Sequence, residues 1–165
     1  MGYFPFFVDV ENQNCLVVGG GVVALRKIEK LLPFNPNITV VSPKVHKEIL
    51  SIKNINIIKR KFDFNDLKEK SFVITATDDK TLNKEIYNSC EENNIPVNTV
   101  DDKDNCSFIF PALAKNKGVT VAISTSGKSP IYAKYLRKKI ESLIEDSDSI
   151  VDNLRKFREK IKIDI

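Results

Sequence analysis

The feature that most constrains the fold is a run of three glycines placed between a buried strand and an amphipathic helix. Residues 15–18, Cys-Leu-Val-Val, form a continuous apolar run typical of a central strand in a parallel sheet. Three glycines follow at 19–21, and apolar residues then recur with helical spacing over 22–32, before Pro33. The pattern predicts a strand–turn–helix unit of an α/β sheet.

The rest of the first hundred residues repeats this alternation of short apolar runs and helical patterns. Further strands are predicted at 38–41, 55–59, 72–76 and 96–100, and helices at 44–50 and 80–93. The basic end of the 55–59 segment predicts a sheet edge. Together the elements predict a Rossmann-type doubly wound parallel sheet, in which ligands bind at the carboxyl ends of the strands.

After residue 101 the pattern changes. Strands are expected at 107–111 and 119–123, a helix from Ser129 and Pro130 with Ser129 as N-cap, and a last helix over 149–161. We predict three domains: a Rossmann domain at 1–112, a small α+β dimerisation region at 113–145 and a short helical tail at 146–165. Because the part after 112 is too small to bury its own apolar faces, a homodimer is favoured over packing on the first domain.

The composition limits the kinds of molecule that this protein could bind, but it does not identify one. The net charge of +4 is spread along the chain, which suits a polyanionic small molecule as well as it suits nucleic acid, although a nucleic-acid surface usually has a denser basic stripe. No apolar run approaches the roughly 20 residues of a membrane span. Cys15, Cys90 and Cys106 are too widely spaced for a disulfide framework or a metal site. We therefore expect a cytoplasmic protein with reduced thiols, no bound metal and no nucleic-acid or membrane partner.

The glycine run carries a dinucleotide-binding fingerprint, in which Gly19, Gly21 and Ala24 occupy the three small positions. The first permits a tight turn, the second lets the backbone approach a pyrophosphate, and the third allows close helix–strand packing. The free N–H groups at the start of the following helix favour anions. The predicted cofactor-binding set begins here, with Gly19, Gly20, Gly21, Val22, Val23 and Ala24.

The acidic residue that usually binds the adenosine ribose, about 20 residues further on, is missing from this chain. Ser42 and Lys44 occupy that region. Ser42 could donate a hydrogen bond to the ribose, and Lys44 could tolerate a 2′-phosphate. The residues alone therefore leave the choice between NAD and NADP open.

Small side chains follow the predicted fourth strand on the ligand side of the sheet. Thr75, Ala76, Thr77 and Asp78 would leave room for the nicotinamide half of the cofactor. The alternative is helix capping by Asp78 or by Asp79, and both roles are compatible.

Asp101 stands at the end of the predicted fifth strand, where a carboxylate could take a proton from a substrate. A solvated loop aspartate is the alternative, and Asp102 and Asp104 are equally available. The hydroxyl-rich segment 124–130 joins a strand to a helix and could hold a substrate carboxylate, with Lys128 adding charge. It lacks the glycine spacing of an ATP-binding loop.

Several segments, in their order and spacing, resemble the precorrin-2 dehydrogenase family, whose relatives include the N-terminal part of siroheme synthase. The similarity rests on Phe4-Pro5-Phe6, the 15–24 segment with Arg26-Lys27, Ala76-Thr77-Asp78-Asp79, Asn98-Thr99-Val100-Asp101, 107–112 and 121–130. It extends from Phe4 to about Ile144.

The resemblance implies an NAD-dependent oxidation of precorrin-2 to sirohydrochlorin in sirohaem biosynthesis, carried out by a homodimer. It implies an acid/base role for Asp101, with Thr125 orienting the macrocycle. The expected contacts to substrate carboxylates are Ser124, Ser126, Lys128 and Arg137. The alternatives are a bifunctional dehydrogenase and ferrochelatase, or an NAD-sensing module. The short tail after Ile144 favours dehydrogenation without efficient iron insertion.

Overall fold

A computed structural model describes residues 3–100, 102, 104–116, 118–145, 151–155 and 158. The chain divides into two compact units. The larger unit is Val8–Ile109, and the smaller one joins Met1–Phe7 to Phe110–Ile165.

The larger unit contains a parallel sheet of five strands in the order β3-β2-β1-β4-β5. The strands are β1 Asn14–Val18, β2 Asn37–Val41, β3 Asn56–Ile58, β4 Phe72–Thr75 and β5 Val97–Thr99. The doubly wound parallel sheet predicted from the sequence is therefore confirmed, as is the edge position of β3. The order reverses at β1, so the turn that follows β1 lies at the switch point where such sheets bind ligands.

Helices cover the connections between these strands. They are α1 Val22–Leu31, α2 Lys47–Ser51 and α3 Lys80–Glu92, with 3₁₀ turns at Leu32–Phe34 and Phe64–Leu67. α1 ends at Leu31, one residue before the predicted end, and Pro33 lies in the 3₁₀ turn that follows, where a missing N–H is tolerated. The predicted start of α2 was too early, since His46 forms the N-cap and accepts a hydrogen bond from the Glu48 N–H.

The core of this unit lies on both faces of the sheet, as expected for strands flanked by helices. On one face Leu16, Val73 and Val97 pack with Ile86 and Cys90 of α3. On α1 the fully buried residues include Ala24 and Ile28, whereas Val22, predicted to face the core, is 48% exposed.

The predicted strand at 107–111 is not formed. Cys106 makes one isolated antiparallel bridge with Asn98, and no regular ladder with β5 follows it in the described part of the chain. The Cys106 and Ser107 side chains make the hydrogen bonds that a sixth strand's backbone would supply. The apolar alternation of 107–111 resembled a strand, but its residues do not join the ladder.

The smaller unit consists of an antiparallel hairpin and a helix. β6 Ala112–Asn116 pairs with β7 Val119–Ile123, and α4 Pro130–Ile144 packs on the hairpin. Ser129 caps α4 by accepting from the Tyr132 N–H, as predicted. The Asn116 amide donates to the carbonyls of Ile144 and Glu145 at the other end of the helix.

The predicted last helix lies partly outside the described residues, and its described stretch 151–155 is helical. The domain boundaries at 112/113 and 145/146 stay a prediction. Within the part of the chain that the structure describes, no helix combines the length and hydropathy needed to cross a membrane.

Candidate functional site

The glycine loop after β1 is held tightly by the loops on either side of it. Gly19 has φ of +115°, and a Cβ there would lie 2.2 Å from the Ala76 carbonyl oxygen. A Cβ on Gly20 would lie 2.4 Å from the Lys44 carbonyl oxygen. Both clashes involve backbone atoms, so neither position accepts a side chain without moving a neighbouring loop.

Gly21 differs from its two neighbours because a Cβ there would meet open space. It is the N-cap residue of α1, its backbone is extended, and no side chain among the described residues caps the helix. The first turn of α1 also contains no acidic residue. Uncapped N–H groups beside open space are what a pyrophosphate requires, so these residues fit a bound dinucleotide.

The loop after β2 packs directly against the glycine loop. The His46 N–H donates to the Gly20 carbonyl at 2.8 Å, and the Ser42 N–H donates to the Ile58 carbonyl at 3.2 Å. The Ser42 hydroxyl, predicted to reach a ribose, donates to the Lys44 carbonyl at 2.7 Å. Ser42 is buried, so its direct effect is on the shape of this loop.

The loop after β4 is tied to the start of α3 by a polar residue that sequence reasoning missed. Asn83 is buried; its amide donates to the Thr77 carbonyl at 2.9 Å and its oxygen accepts from the Thr77 hydroxyl at 2.7 Å. Asp79 caps α3 by accepting from the Leu82 N–H, which confirms one capping alternative, while Asp78 is exposed. The sequence signal was a polar asparagine between the apolar helix positions Leu82 and Ile86.

Two buried hydroxyls lie side by side at the carboxyl ends of β4 and β5. Thr75 and Thr99 are register partners, so their side chains lie on the same face of the sheet. Among the described residues, neither hydroxyl has a hydrogen-bond partner. A buried unpaired hydroxyl is costly, so polar groups of a ligand or of water are suitable partners here.

A polar network is centred on Asn98 in β5, and in the sequence its residues appear only as members of family motifs. The Lys27 ammonium from α1 donates to the Asn98 side-chain oxygen at 3.0 Å. The Asn98 amide donates in turn to the Phe108 carbonyl at 2.9 Å. Asp101, the predicted acid/base residue, lies outside the described residues.

Asp102 stabilises its own turn. Its carboxylate accepts from the Asn105 side-chain amide at 2.6 Å and from the Asn105 N–H at 3.3 Å. These hydrogen bonds, that of the side-chain amide foremost, lower the pKa of Asp102 below its ordinary value. A carboxylate held in this way is a weaker base.

The hydroxyl-rich turn of the smaller unit is organised by Thr125. The Thr125 hydroxyl accepts from the Ser129 N–H at 3.2 Å and donates to the Ser129 carbonyl at 3.1 Å. The Ser124 hydroxyl accepts from the Ser126 N–H, and Ser126 has a positive φ of 53°. The hydroxyls of Ser124 and Thr125 therefore shape the turn.

The two predicted cationic contacts of this unit differ in their surroundings. Lys128 is exposed, whereas Arg137 forms an ion pair with Glu141 one turn along α4. In the described stretches, no group of three or more histidine, cysteine, aspartate or glutamate residues could hold a metal ion.

The sheet order, the glycine loop at the switch point and the uncapped start of α1 define a dinucleotide-binding domain of the Rossmann type. The family model described as "Putative NAD(P)-binding" matches residues 6–112, and the chain belongs to this family. A second model, "Sirohaem biosynthesis protein central", matches residues 116–143.

Individual relatives agree with these family matches. The siroheme synthase of Blochmanniella pennsylvanica (strain BPEN) is 43% identical over 166 residues, covering 98% of this chain and 35% of that protein. The siroheme synthase of Thioalkalivibrio sulfidiphilus (strain HL-EbGR7) is 42% identical over 147 residues, covering 87% of this chain and 30% of that protein. The chain thus spans about a third of the length of the curated relatives it matches.

A solved structure is also similar. SirC, a precorrin-2 dehydrogenase, has a TM-score of 0.72 and 29% identity to this chain, and the match covers 85% of this chain and 70% of SirC. The resemblance stated from the sequence motifs is confirmed.

Proposed function

We propose that this protein catalyses the NAD-dependent dehydrogenation of precorrin-2 to sirohydrochlorin. The observation that carries the proposal is the glycine loop, where Gly21 leaves an uncapped helix N-terminus beside open space. The similarity to SirC and to the siroheme synthases supports the choice of substrate. This reaction removes a hydride and a proton from precorrin-2, and the acceptor for the hydride would be supplied by bound NAD.

The residues proposed to bind the cofactor act in different ways. Gly19, Gly20 and Ala24 permit the close packing of the loop, while Gly21, Val22 and Val23 present backbone N–H groups to the pyrophosphate. We propose that Ser42 acts by shaping the loop beside the ribose and that Thr75, Ala76, Thr77 and Asp78 line the nicotinamide half. NAD rather than NADP is proposed because the resemblance implies it.

Asp101 is the proposed acid/base residue, and its neighbours support this choice. Asp102 is held by Asn105 with a lowered pKa, which makes it a poorer proton acceptor. The Val100 N–H donates to the Thr75 carbonyl at 3.0 Å, which ties the residue before Asp101 to the end of β4. Val100 is therefore anchored at the carboxyl edge, where substrates of such sheets bind.

The turn at 124–130 is proposed to bind carboxylates of the tetrapyrrole. Ser126 and Lys128 would supply polar contacts at the N-terminus of α4, where the helix dipole favours anions. Thr125 and Ser124 would hold the turn in shape, and Arg137 would add positive charge. A net charge of +4 is consistent with a substrate that carries many carboxylates.

We also propose that the protein acts as a homodimer in the cytoplasm. The smaller unit leaves large apolar side chains in solvent, including Phe6 at 81% and Ile131 at 84% exposure. Apolar surface of this kind is typical of association sites. The free cysteines are consistent with a reducing compartment.

Anaerobic turnover of precorrin-2 with NAD, followed by NADH absorbance, tests the role of Asp101. We expect Asp101→Asn to lower kcat by about 10²- to 10⁴-fold, the usual contribution of a positioned acid or base, with NADH affinity unchanged. Asp104→Asn, an exposed aspartate three residues later, is the matched control and should behave like the wild type. A folded Asp101→Asn variant with near-normal turnover would contradict the proposed role.

A further inference from the structure

The backbone hydrogen-bonding groups on the outer edge of β5 are paired mainly by two side chains, those of Cys106 and Ser107. β5 is the last strand of the sheet, so the N–H and C=O groups of Val97 and Thr99 on its open side need partners. The Ser107 hydroxyl accepts from the Val97 N–H at 2.7 Å, and the Ser107 N–H donates to the Val97 carbonyl at 2.9 Å. Ser107 thus covers the first half of this edge.

Cys106 covers the second half and also reaches the turn that follows β5. Its sulfur accepts from the Thr99 N–H at 3.2 Å. Its S–H can donate to the Thr99 carbonyl at 3.1 Å or to the Asp102 carbonyl at 3.0 Å. One thiol therefore joins the last residue of β5 to the backbone three residues further on.

The thiol of Cys106 is suited to this bridging position. Burial is the main cause that raises its pKa above the ordinary value, and the proton needed for donation is therefore retained at neutral pH. Cysteine is also longer than serine, because a C–S bond exceeds a C–O bond. A serine hydroxyl could keep one of the two contacts at a good distance, whereas alanine could keep none.

We propose that Cys106 is a positioning residue for the proposed dehydrogenation. On one side of Asp101, the Val100 N–H is bonded to the Thr75 carbonyl, and on the other the Asp102 carbonyl is bonded to the Cys106 thiol. The thiol thereby ties Asp102, the residue after the proposed acid/base residue, to Thr99 at the carboxyl end of β5. This inference rests on the proposed function.

Kinetics of Cys106→Ala and Cys106→Ser in the full chain test the proposal. We expect Cys106→Ala to lower kcat by about 10- to 100-fold, since a displacement of about 1 Å has effects of that order, while the KM for NAD stays within twofold. Cys106→Ser should restore kcat to within about fivefold of the wild type, because a donor and an acceptor are kept. Ser71→Ala removes a comparable hydrogen bond, to Gln13, at the amino edge of the sheet and is the control.

Amide hydrogen exchange gives a second readout that does not depend on activity. We expect the Thr99 amide to exchange about fivefold faster in Cys106→Ala than in the wild type, as for the loss of about 1 kcal/mol of protection. If the Thr99 amide of Cys106→Ala exchanged faster while kcat stayed unchanged, the positioning role would be overturned. Unchanged exchange of this amide would overturn it as well. A wild-type protein that fails to oxidise precorrin-2 would refute the proposed function, while the exchange data would still test the bridge itself.

Discussion

The two units of this protein differ most in how they bury apolar side chains. In the larger unit, β1 and β4 are buried along nearly their whole length, and helices add Ile28, Ile49 and Ile86 to the core. In the smaller unit, the hydrophobic residues found buried in the described stretches are Ala114 and Ala133. The smaller unit instead exposes aromatic and aliphatic side chains, such as Phe7 at its start and Leu143 at 79% on α4.

This difference indicates a division of tasks. A sheet buried on both faces is rigid, and rigidity is what places the glycine loop and the ends of β4 and β5 accurately around a cofactor. The described part of the smaller unit buries only these two alanines, so we expect its exposed apolar residues to be covered in the assembled protein. We therefore expect substitutions in the two units to affect different measurements.

The largest effect should come from Gly19 in the larger unit. Gly19→Ala places a Cβ against the Ala76 carbonyl and forces a positive φ on a residue that disfavours it. We expect a loss of about 2 kcal/mol or more in the free energy of unfolding, together with loss of NADH binding. Urea unfolding and NADH fluorescence titration would measure both.

Gly21→Ser is the matched variant in the same loop. Its side chain enters open space and can cap α1, so we expect a gain of a few tenths of a kcal/mol in unfolding free energy. The same side chain occupies the position proposed for the pyrophosphate, so the affinity for NADH should fall at least about tenfold. If NADH bound equally well to Gly21→Ser, the pyrophosphate would not lie at this helix N-terminus.

The next effect concerns association through the smaller unit. Ile131→Asp adds a charge to an apolar residue on α4 that is already in solvent within one chain. If Ile131 lies in the interface of the proposed dimer, this dimer should dissociate at micromolar concentration in analytical ultracentrifugation, because a charge at an apolar interface costs several kcal/mol. Leu50→Asp makes the same change at an exposed leucine of α2 in the larger unit and should leave the dimer intact. Equal behaviour of the two variants would contradict the division of tasks.

The smallest effect compares one helix cap in each unit. Asp79→Ala removes the cap of α3, and Ser129→Ala removes the cap of α4. Each should cost about 1 kcal/mol. Hydrogen exchange should increase across the sheet and helices of the larger unit for Asp79→Ala, but only over 130–144 for Ser129→Ala. Increased exchange throughout both units in both variants would show that the units unfold together.

Much of the larger unit could be predicted from the sequence because its signals are local. The apolar runs, the glycine loop and the alternation of strand and helix patterns indicate the parallel sheet without any knowledge of distant contacts. The Ser129 cap could be predicted in the same way, since a serine before proline is a local signal for a helix start. Each of these features depends on residues within one turn or one strand.

The errors and omissions involve contacts between distant segments. The apolar alternation at 107–111 is typical of a strand, yet no ladder forms there. The side chains of Cys106 and Ser107 instead accept hydrogen bonds from backbone N–H groups of β5. Lys27 and Asn98 are 71 residues apart, and periodicity carries no information about such a pair. The unpaired hydroxyls of Thr75 and Thr99 become visible only once β4 and β5 are aligned.

The most direct test of the central claim is the stoichiometry of the proposed reaction under anaerobic conditions. Purified protein, precorrin-2 and NAD are mixed, and NADH absorbance is followed together with the sirohydrochlorin spectrum. The account predicts one NADH for each sirohydrochlorin formed, with Gly21→Ser needing more NAD to reach the same rate. Binding of NAD without any sirohydrochlorin, or sirohydrochlorin formed without NADH, would contradict it.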